Sequence, residues 1–160
     1  MGGVARPIVV ALGSNLGDRP SHLHYAIARL DAVLGPLRVS SFHDTAPVGV
    51  DPAQPRFLNA VVVGASVLAA REVLDLLLAI ERDRGRARPW PGAPRTLDLD
   101  LVLCGDEVID EPGLQVPHPR FRERAFVLDP LAEIAADLVD PVTGLTAGQL
   151  LERMRADGHP

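Results

Sequence analysis

Apolar and polar positions along this chain switch between the period of a strand and the period of a helix, and the order of the switches outlines a fold. Residues 7–12 (PIVVAL) read as a short buried strand. Between residues 20 and 34, Leu23, Ile27, Leu30 and Leu34 recur at spacings of four, three and four, which makes one apolar helix face. Pro20 suits the first turn, and Gly35-Pro36 ends the helix. Residues 37–45 read as a second strand and residues 57–67 (FLNAVVVGASV) as a long third. A second helix is predicted over 69–84. Val73, Leu76, Leu77 and Ile80 make its core face, and an adjacent row of Leu74, Leu77 and Leu78 ends in Glu81. From Leu97 the chain alternates and then turns wholly apolar (LDLDLVLC), which predicts a fourth strand, placed inside its sheet. A turn and short strand over 105–109, a helical segment over 127–138 and a last short helix over 146–155 follow.

Strand, helix, strand, strand, helix, strand is the split β-α-β order. It predicts an α+β fold with a ferredoxin-like βαββαβ core, a mainly antiparallel sheet with helices packed on it. With no internal repeat and no long linker, the 160 residues are expected to form one domain, 1–160.

Composition narrows the function. The net charge is −5, which argues against a general nucleic-acid binder. No apolar run approaches a membrane span, and the first residues lack a secretion-signal pattern, so a cytoplasmic protein is expected. Its single cysteine, Cys104, lies in the fourth strand and reads as core. All 16 basic residues are arginine, so an isolated arginine carries little information and only clustering counts.

One cluster stands out. Arg82, Arg84, Arg86, Arg88 and Arg95 precede the strand that holds Asp98 and Asp100. On a strand, Asp98 and Asp100 share a face at a Cα separation of about 6.6–6.8 Å, a spacing that lets two carboxylates converge on divalent cations. Two solvated acids on a half-exposed strand is the plainer alternative. Arginine forks bind phosphate oxygens, and carboxylates beside them are the parts of phosphoryl transfer.

Three other stretches carry candidate chemistry. Gly13-Ser14-Asn15-Leu16-Gly17-Asp18 is either a backbone approach to a phosphate or an ordinary strand-to-helix turn, and it matches no nucleotide fingerprint. The proline-rich segment 46–56 has the length and stiffness of a functional loop. Asn59 interrupts an apolar strand, either to pair with a heterocyclic amide or to bond a neighbouring loop. His22 and His24 are two apart, share no helix face and read as solvated.

Four stretches occur together in order: 11–17 (ALGSNLG), 41–60 (SFHDTAPVGVDPAQPRFLNA), 93–101 (APRTLDLDL) and 116–128 (VPHPRFRERAFVL). With them the chain resembles the bacterial hydroxymethyl-dihydropterin pyrophosphokinases of folate biosynthesis, from about residue 8 to 140. The resemblance implies transfer of a pyrophosphoryl group from ATP to the hydroxymethyl group of a reduced pterin, with release of AMP and the help of two magnesium ions. It implies Asp98 and Asp100 as metal ligands, and Arg86 and Arg95 on the reacting phosphates. Glu81, Arg88, Leu101, Gln115, His118 and Arg124 would line the ATP site, and Thr45, Pro47, Val48, Phe57, Asn59 and Phe126 would surround the pterin. The partners implied are these small molecules alone, for a monomer with no nucleic acid and no membrane. Trp90 is displaced relative to the family pattern, and Gly113 and Pro119 stand where some relatives carry arginine and tyrosine. A nucleotidyltransferase is one rival, although its Gly-Ser loop and Asp-x-Asp strand lie close in sequence and here they do not. A non-catalytic ligand sensor on the same sheet is the other.

Overall fold

The computed structural model of the chain describes residues 3–48, 50–85, 90 and 93–158. In chain order its elements are β1 (Arg6–Ser14), α1 (Arg19–Leu34), β2 (Arg38–Val39), β3 (His43–Thr45), β4 (Phe57–Ser66), α2 (Ala70–Asp83), β5 (Asp98–Cys104), β6 (Ile109–Glu111), β7 (Leu114–Val116), α3 (Ala125–Ala135) and α4 (Ala147–Ala156), with one 3-10 turn at Phe121–Glu123. The main sheet runs β2-β4-β1-β5, antiparallel throughout, and β3 also pairs with β4. This is the ferredoxin-like arrangement the element order predicts.

Two strand expectations need correcting. The strand over 37–45 is two pieces on the same edge of β4. Between them Ser40 is buried; its N–H donates to the Val61 carbonyl (3.0 Å), and its hydroxyl oxygen accepts the Val61 N–H (2.9 Å). A side chain thus takes a donor that a continuous ladder would have used. Nor is β5 an inner strand: among the described residues it ends the sheet and pairs only with β1. Its apolar character comes from cover on both faces. Its outer edge is closed where the His118 N–H donates to the Val102 carbonyl at 2.9 Å.

One face of the sheet packs on α1 and α2 through Ile8, Val10, Leu12, Leu58, Ala60, Val62, Leu99 and Leu101. The other packs on α3 and α4 through Val9, Ala11, Val61, Val63, Val102 and Leu103. Strict alternation fails at 102–103 because the β1–β5 register shifts there. Val9 pairs with Leu103 and Val10 with Leu101, so Val102 is the extra residue of a bulge. The predicted helix faces hold. In α1 the buried residues are Leu23, Ala26, Leu30 and Leu34, below an N-cap in which Asp18 accepts the Ser21 N–H. In α2 they are Ala70, Val73, Leu77, Ile80 and Glu81.

Gly64 on β4 lets the end of α1 approach the sheet. A Cβ built there meets the Leu34 carbonyl oxygen at 2.4 Å and Leu34 Cβ at 2.8 Å. Gly64→Ala should therefore overpack the helix–sheet contact and cost about 1–3 kcal/mol. Urea denaturation checks this: a lowered midpoint at unchanged slope is expected, and an unchanged midpoint would contradict the contact.

Candidate functional site

The register of three strands builds the floor of a cavity. Gly13 on β1 lies opposite Asn59 on β4 and Asp98 on β5; Ala11 lies opposite Val61 and Asp100. Asp98 and Asp100 thus share a sheet face with Asn59 and Phe57, separated from them by residues with little or no side chain. A Cβ at Gly13 would stand 3.1 Å from Asn59 Oδ1 and 3.6 Å from Phe57 Cδ1, so glycine keeps the floor open. The cavity above has a volume of about 390 Å³, within the range of small-molecule sites.

Two columns of like construction stand on this floor. Arg95 Nη1 is 3.5 Å from Asp98 Oδ2, and its guanidinium lies 5.5 Å from the Phe57 ring centroid. Arg124 Nη1 is 3.9 Å from Asp100 Oδ2, and its guanidinium lies 5.4 Å from the Phe126 ring. Each arginine therefore lies between an acid and an aromatic wall. Such an arrangement serves an occupant with an anionic end and a flat end. Arg95 is 9% exposed, and its buried Nε has no hydrogen-bond partner among the described residues. A buried donor of this kind fits an anionic oxygen brought by a ligand.

Arg95 is held from below by Asn15, which is 1% exposed. The Arg95 N–H donates to Asn15 Oδ1 (2.8 Å), and the Asn15 N–H donates to the Arg95 carbonyl (3.1 Å). Asn15 Nδ2 donates to Gln54 Oε1 (3.0 Å) and to the Pro55 carbonyl (3.4 Å). One amide thus ties the end of β1 to the proline-rich segment 46–56 and to the approach to β5. The ends of that segment are further joined by Arg56 Nε donating to Asp44 Oδ1 (2.6 Å), while Arg19 reaches both the Arg56 carbonyl and Asp44. Glu81, on the core face of α2, accepts the Leu99 N–H at 2.7 Å between the two aspartates.

A second cavity of about 590 Å³ shares Asp100 with the first and is lined by Leu101, Gln115 and His118, as well as Gly113 and Pro119. His118 Nδ1 accepts the Arg120 N–H (3.2 Å), which leaves Nε2 as the protonated nitrogen of the neutral ring. Burial first, then the charge of Arg124, push its pKa down to about 4, while Asp98 opposes them.

The structure brings most of the expected residues together. Thr45, Val48, Phe57, Asn59, Arg95, Asp98, Asp100, Arg124 and Phe126 line the first cavity, and Pro47 lies between Ala46 and Val48 of its wall. Asn59 bonds the neighbouring strand and not a loop, with Nδ2 donating to Oγ1 of Thr45, the last residue of β3, at 2.5 Å. Leu101, Gln115 and His118 face the second cavity. Arg86, Arg88 and most of the segment 86–94 lie outside the described residues, and Trp90 is 57% exposed. Residues 13–18 connect β1 to α1: Gly13 and Ser14 end the strand, Asn15 is buried, and Gly13 lines the first cavity. His22 is a correction: it is half-buried and accepts a hydrogen bond from Arg84 Nε at 2.9 Å. Cys104 is buried, and burial with Glu107 pushes its thiol up to about 12, which leaves it in the core without a nucleophilic role. The role of Asn15 escaped the sequence; its only signal was an amide directly after a buried strand.

As a metal site, the donor set is two carboxylates on one strand. No group of three or more His, Cys, Asp or Glu gathers among the described residues. Two hard oxygen donors beside two arginines fit magnesium, which takes its other ligands from water and phosphate. They do not fit a closed structural zinc site.

Residues 9–136 match the family model described as 7,8-dihydro-6-hydroxymethylpterin-pyrophosphokinase. The chain is 45% identical over 148 residues to a 2-amino-4-hydroxy-6-hydroxymethyldihydropteridine pyrophosphokinase of Synechocystis, covering 91% of this chain and 75% of that one. It is 43% identical over 142 residues to the enzyme of the same name from Bacillus subtilis, covering 88% and 84%. In fold it matches the Plasmodium falciparum HPPK-DHPS with a TM-score of 0.75 at 15% identity, covering 98% of this chain and 45% of that longer one.

Two outcomes follow from the geometry. Unfolded, an imidazole titrates near 6.5, whereas His118 titrates at about 4. Between those values the unfolded chain holds more protons, so stability should rise with pH across that window and level off above it. NMR titration should place the His118 midpoint near 4, and His118→Gln should flatten that part of the stability profile. Asn15→Ala leaves the Arg95 N–H buried without its acceptor and should cost about 1–3 kcal/mol, read by denaturant unfolding; a cost within error of zero would mean that the clamp is idle.

Proposed function

The chain belongs to the 7,8-dihydro-6-hydroxymethylpterin-pyrophosphokinase family, and from that premise we propose that it moves the pyrophosphoryl group of ATP onto the hydroxymethyl group of 6-hydroxymethyl-7,8-dihydropterin, releasing AMP, with its two cavities dividing the substrates. The pterin takes the first cavity. Phe57 and Phe126 cover its flat faces, and Asn59 with the Thr45, Pro47 and Val48 segment meets its polar edge. A pocket built on hydrogen bonds discriminates strongly against rings that lack the matching atoms. The adenosine end of ATP takes the second cavity, against Leu101, Gln115 and His118. Glu81 supports that site through the backbone of Leu99.

The phosphates then cross the wall the cavities share, where Asp100 faces both. That shared wall is the single observation that carries the reading. It sets the phosphate chain between the two substrates, beside the two acid–arginine columns. Asp98 and Asp100 would hold magnesium, two ions by family resemblance, which when bound neutralises phosphate charge and aligns the reacting groups. Arg95 and Arg124 meet phosphate oxygens; by resemblance alone, Arg86 joins them on the reacting phosphates and Arg88 lines the ATP site. The hydroxymethyl oxygen attacks the β-phosphorus in line. Its bond to the bridging oxygen of the α-phosphate breaks, the proton of the alcohol goes to solvent, and AMP leaves. No side-chain base is assigned; alignment and the arginine field carry the step. The neutral ring of His118 presents Nε2–H as a donor to the nucleotide throughout the neutral range. The whole chain, 1–160, acts as one domain, a monomer in the cytoplasm; no helix among its described residues is long and apolar enough to cross a membrane.

The test is a product assay with ATP, magnesium and hydroxymethyl-dihydropterin. AMP should form one-for-one with pyrophosphorylated pterin. ADP would mean single phosphoryl transfer, and bound pterin without turnover would mean a sensor. Asp98→Ala and Asp100→Ala should each abolish magnesium-dependent turnover while far-UV dichroism and melting stay near wild type. Near-normal rates in either variant would remove that residue from the metal site.

A further inference from the structure

The first cavity carries more positive charge than the assigned residues use. Three arginines line it, Arg95, Arg120 and Arg124, against Asp98 and Asp100. Arg95 is within 3.5 Å of Asp98, and Arg124 within 3.9 Å of Asp100. Arg120 is exposed, and its guanidinium makes no hydrogen bond or ion pair with a described residue. Its backbone, by contrast, is anchored. The Arg120 N–H donates to His118 Nδ1 (3.2 Å), and its carbonyl accepts the Glu123 N–H (3.0 Å). A tethered base with an uncommitted planar cation, at the wall of a cavity that already holds two arginines, suits an anion that arrives with the ligand.

The side of the wall says which anion. His118 and Pro119 face the second cavity, and Arg120, the next residue, faces the first. The chain crosses from the nucleotide side to the acceptor side within these three residues. On the reading given above, the α-phosphate stays with AMP on the nucleotide side. The β- and γ-phosphates are the anionic groups that pass to the acceptor side. We propose that Arg120 is a further phosphate-binding residue, which holds the transferred pyrophosphoryl group and not the α-phosphate. The assignment rests on that reading of the two cavities.

The experiment compares wild type, Arg120→Ala and Arg120→Lys in equilibrium binding of magnesium with the inert analogue α,β-methylene-ATP, and of AMP. Arg120→Ala should weaken the analogue about tenfold, as expected for a lost charged phosphate contact, and leave AMP within about twofold. Arg120→Lys should recover part of the loss, and the affinity of Arg120→Ala for the analogue should fall less steeply with salt. Unchanged analogue binding in Arg120→Ala, or an equal loss for AMP, would overturn the assignment. The wild-type product assay separates the two levels. A wild type that forms AMP alongside an Arg120→Ala variant with unchanged analogue affinity refutes Arg120 alone. A wild type that forms no AMP refutes the pyrophosphokinase reading and Arg120 with it.

Discussion

The pairing of β1 with a strand on each side sets the geometry from which the site is built. Gly13 lies between Asn59 and Asp98 because β1 pairs antiparallel with both β4 and β5. Side chains alternate with a period of two, so a slip of one residue in either pairing would send the aspartates or Asn59 to the face packed on α1 and α2. The apolar sets prevent that slip. Ile8, Val10 and Leu12 must face α1 and α2, while Val9 and Ala11 face the opposite layer. Burial of the core thus holds the polar residues in register with one another, although none of them contributes to it.

A second constraint acts through main-chain groups. Buried polar side chains bond backbone atoms of residues that line the two cavities: Asn15 to Arg95 of the first, and Glu81 to Leu99 of the second. Such bonds position a neighbour without entering the cavity. They also make the site expensive to alter, since removing one partner leaves a buried donor unpaired. Asn15 extends this to the segment 46–56 through Gln54 and Pro55. The segment 46–56 and Arg95 therefore share one anchor.

Charge is distributed with the same economy. The protein as a whole is acidic, with a net charge of −5, yet the cavity concentrates arginines around its acid pair. A net negative protein with a cavity of locally opposite character favours small anionic substrates over polyanions. This agrees with a family that acts on a nucleotide and a pterin.

Much of this was legible in the sequence, because periodicity is a local property. The spacing of Leu23, Leu30 and Leu34 sets a helix face wherever that helix packs, and the alternation at Leu97–Asp98–Leu99–Asp100 sets which residues share a side. Element order then determined the ferredoxin-like topology, and four motifs in series determined the family. What local pattern could not reveal was which strand lies at the sheet edge, where the ladder breaks at Ser40 or bulges at Val102, and what Asn15 holds. Those depend on partners outside the local segment: Asn15 and Arg95 are 80 positions apart, and His118 closes the edge of β5 across a turn and a hairpin. A hydrogen bond between distant segments leaves no period in either one. Only the folded chain, by bringing them within 3 Å, decides that an amide after a strand is a clamp and that an arginine after a proline faces the cavity.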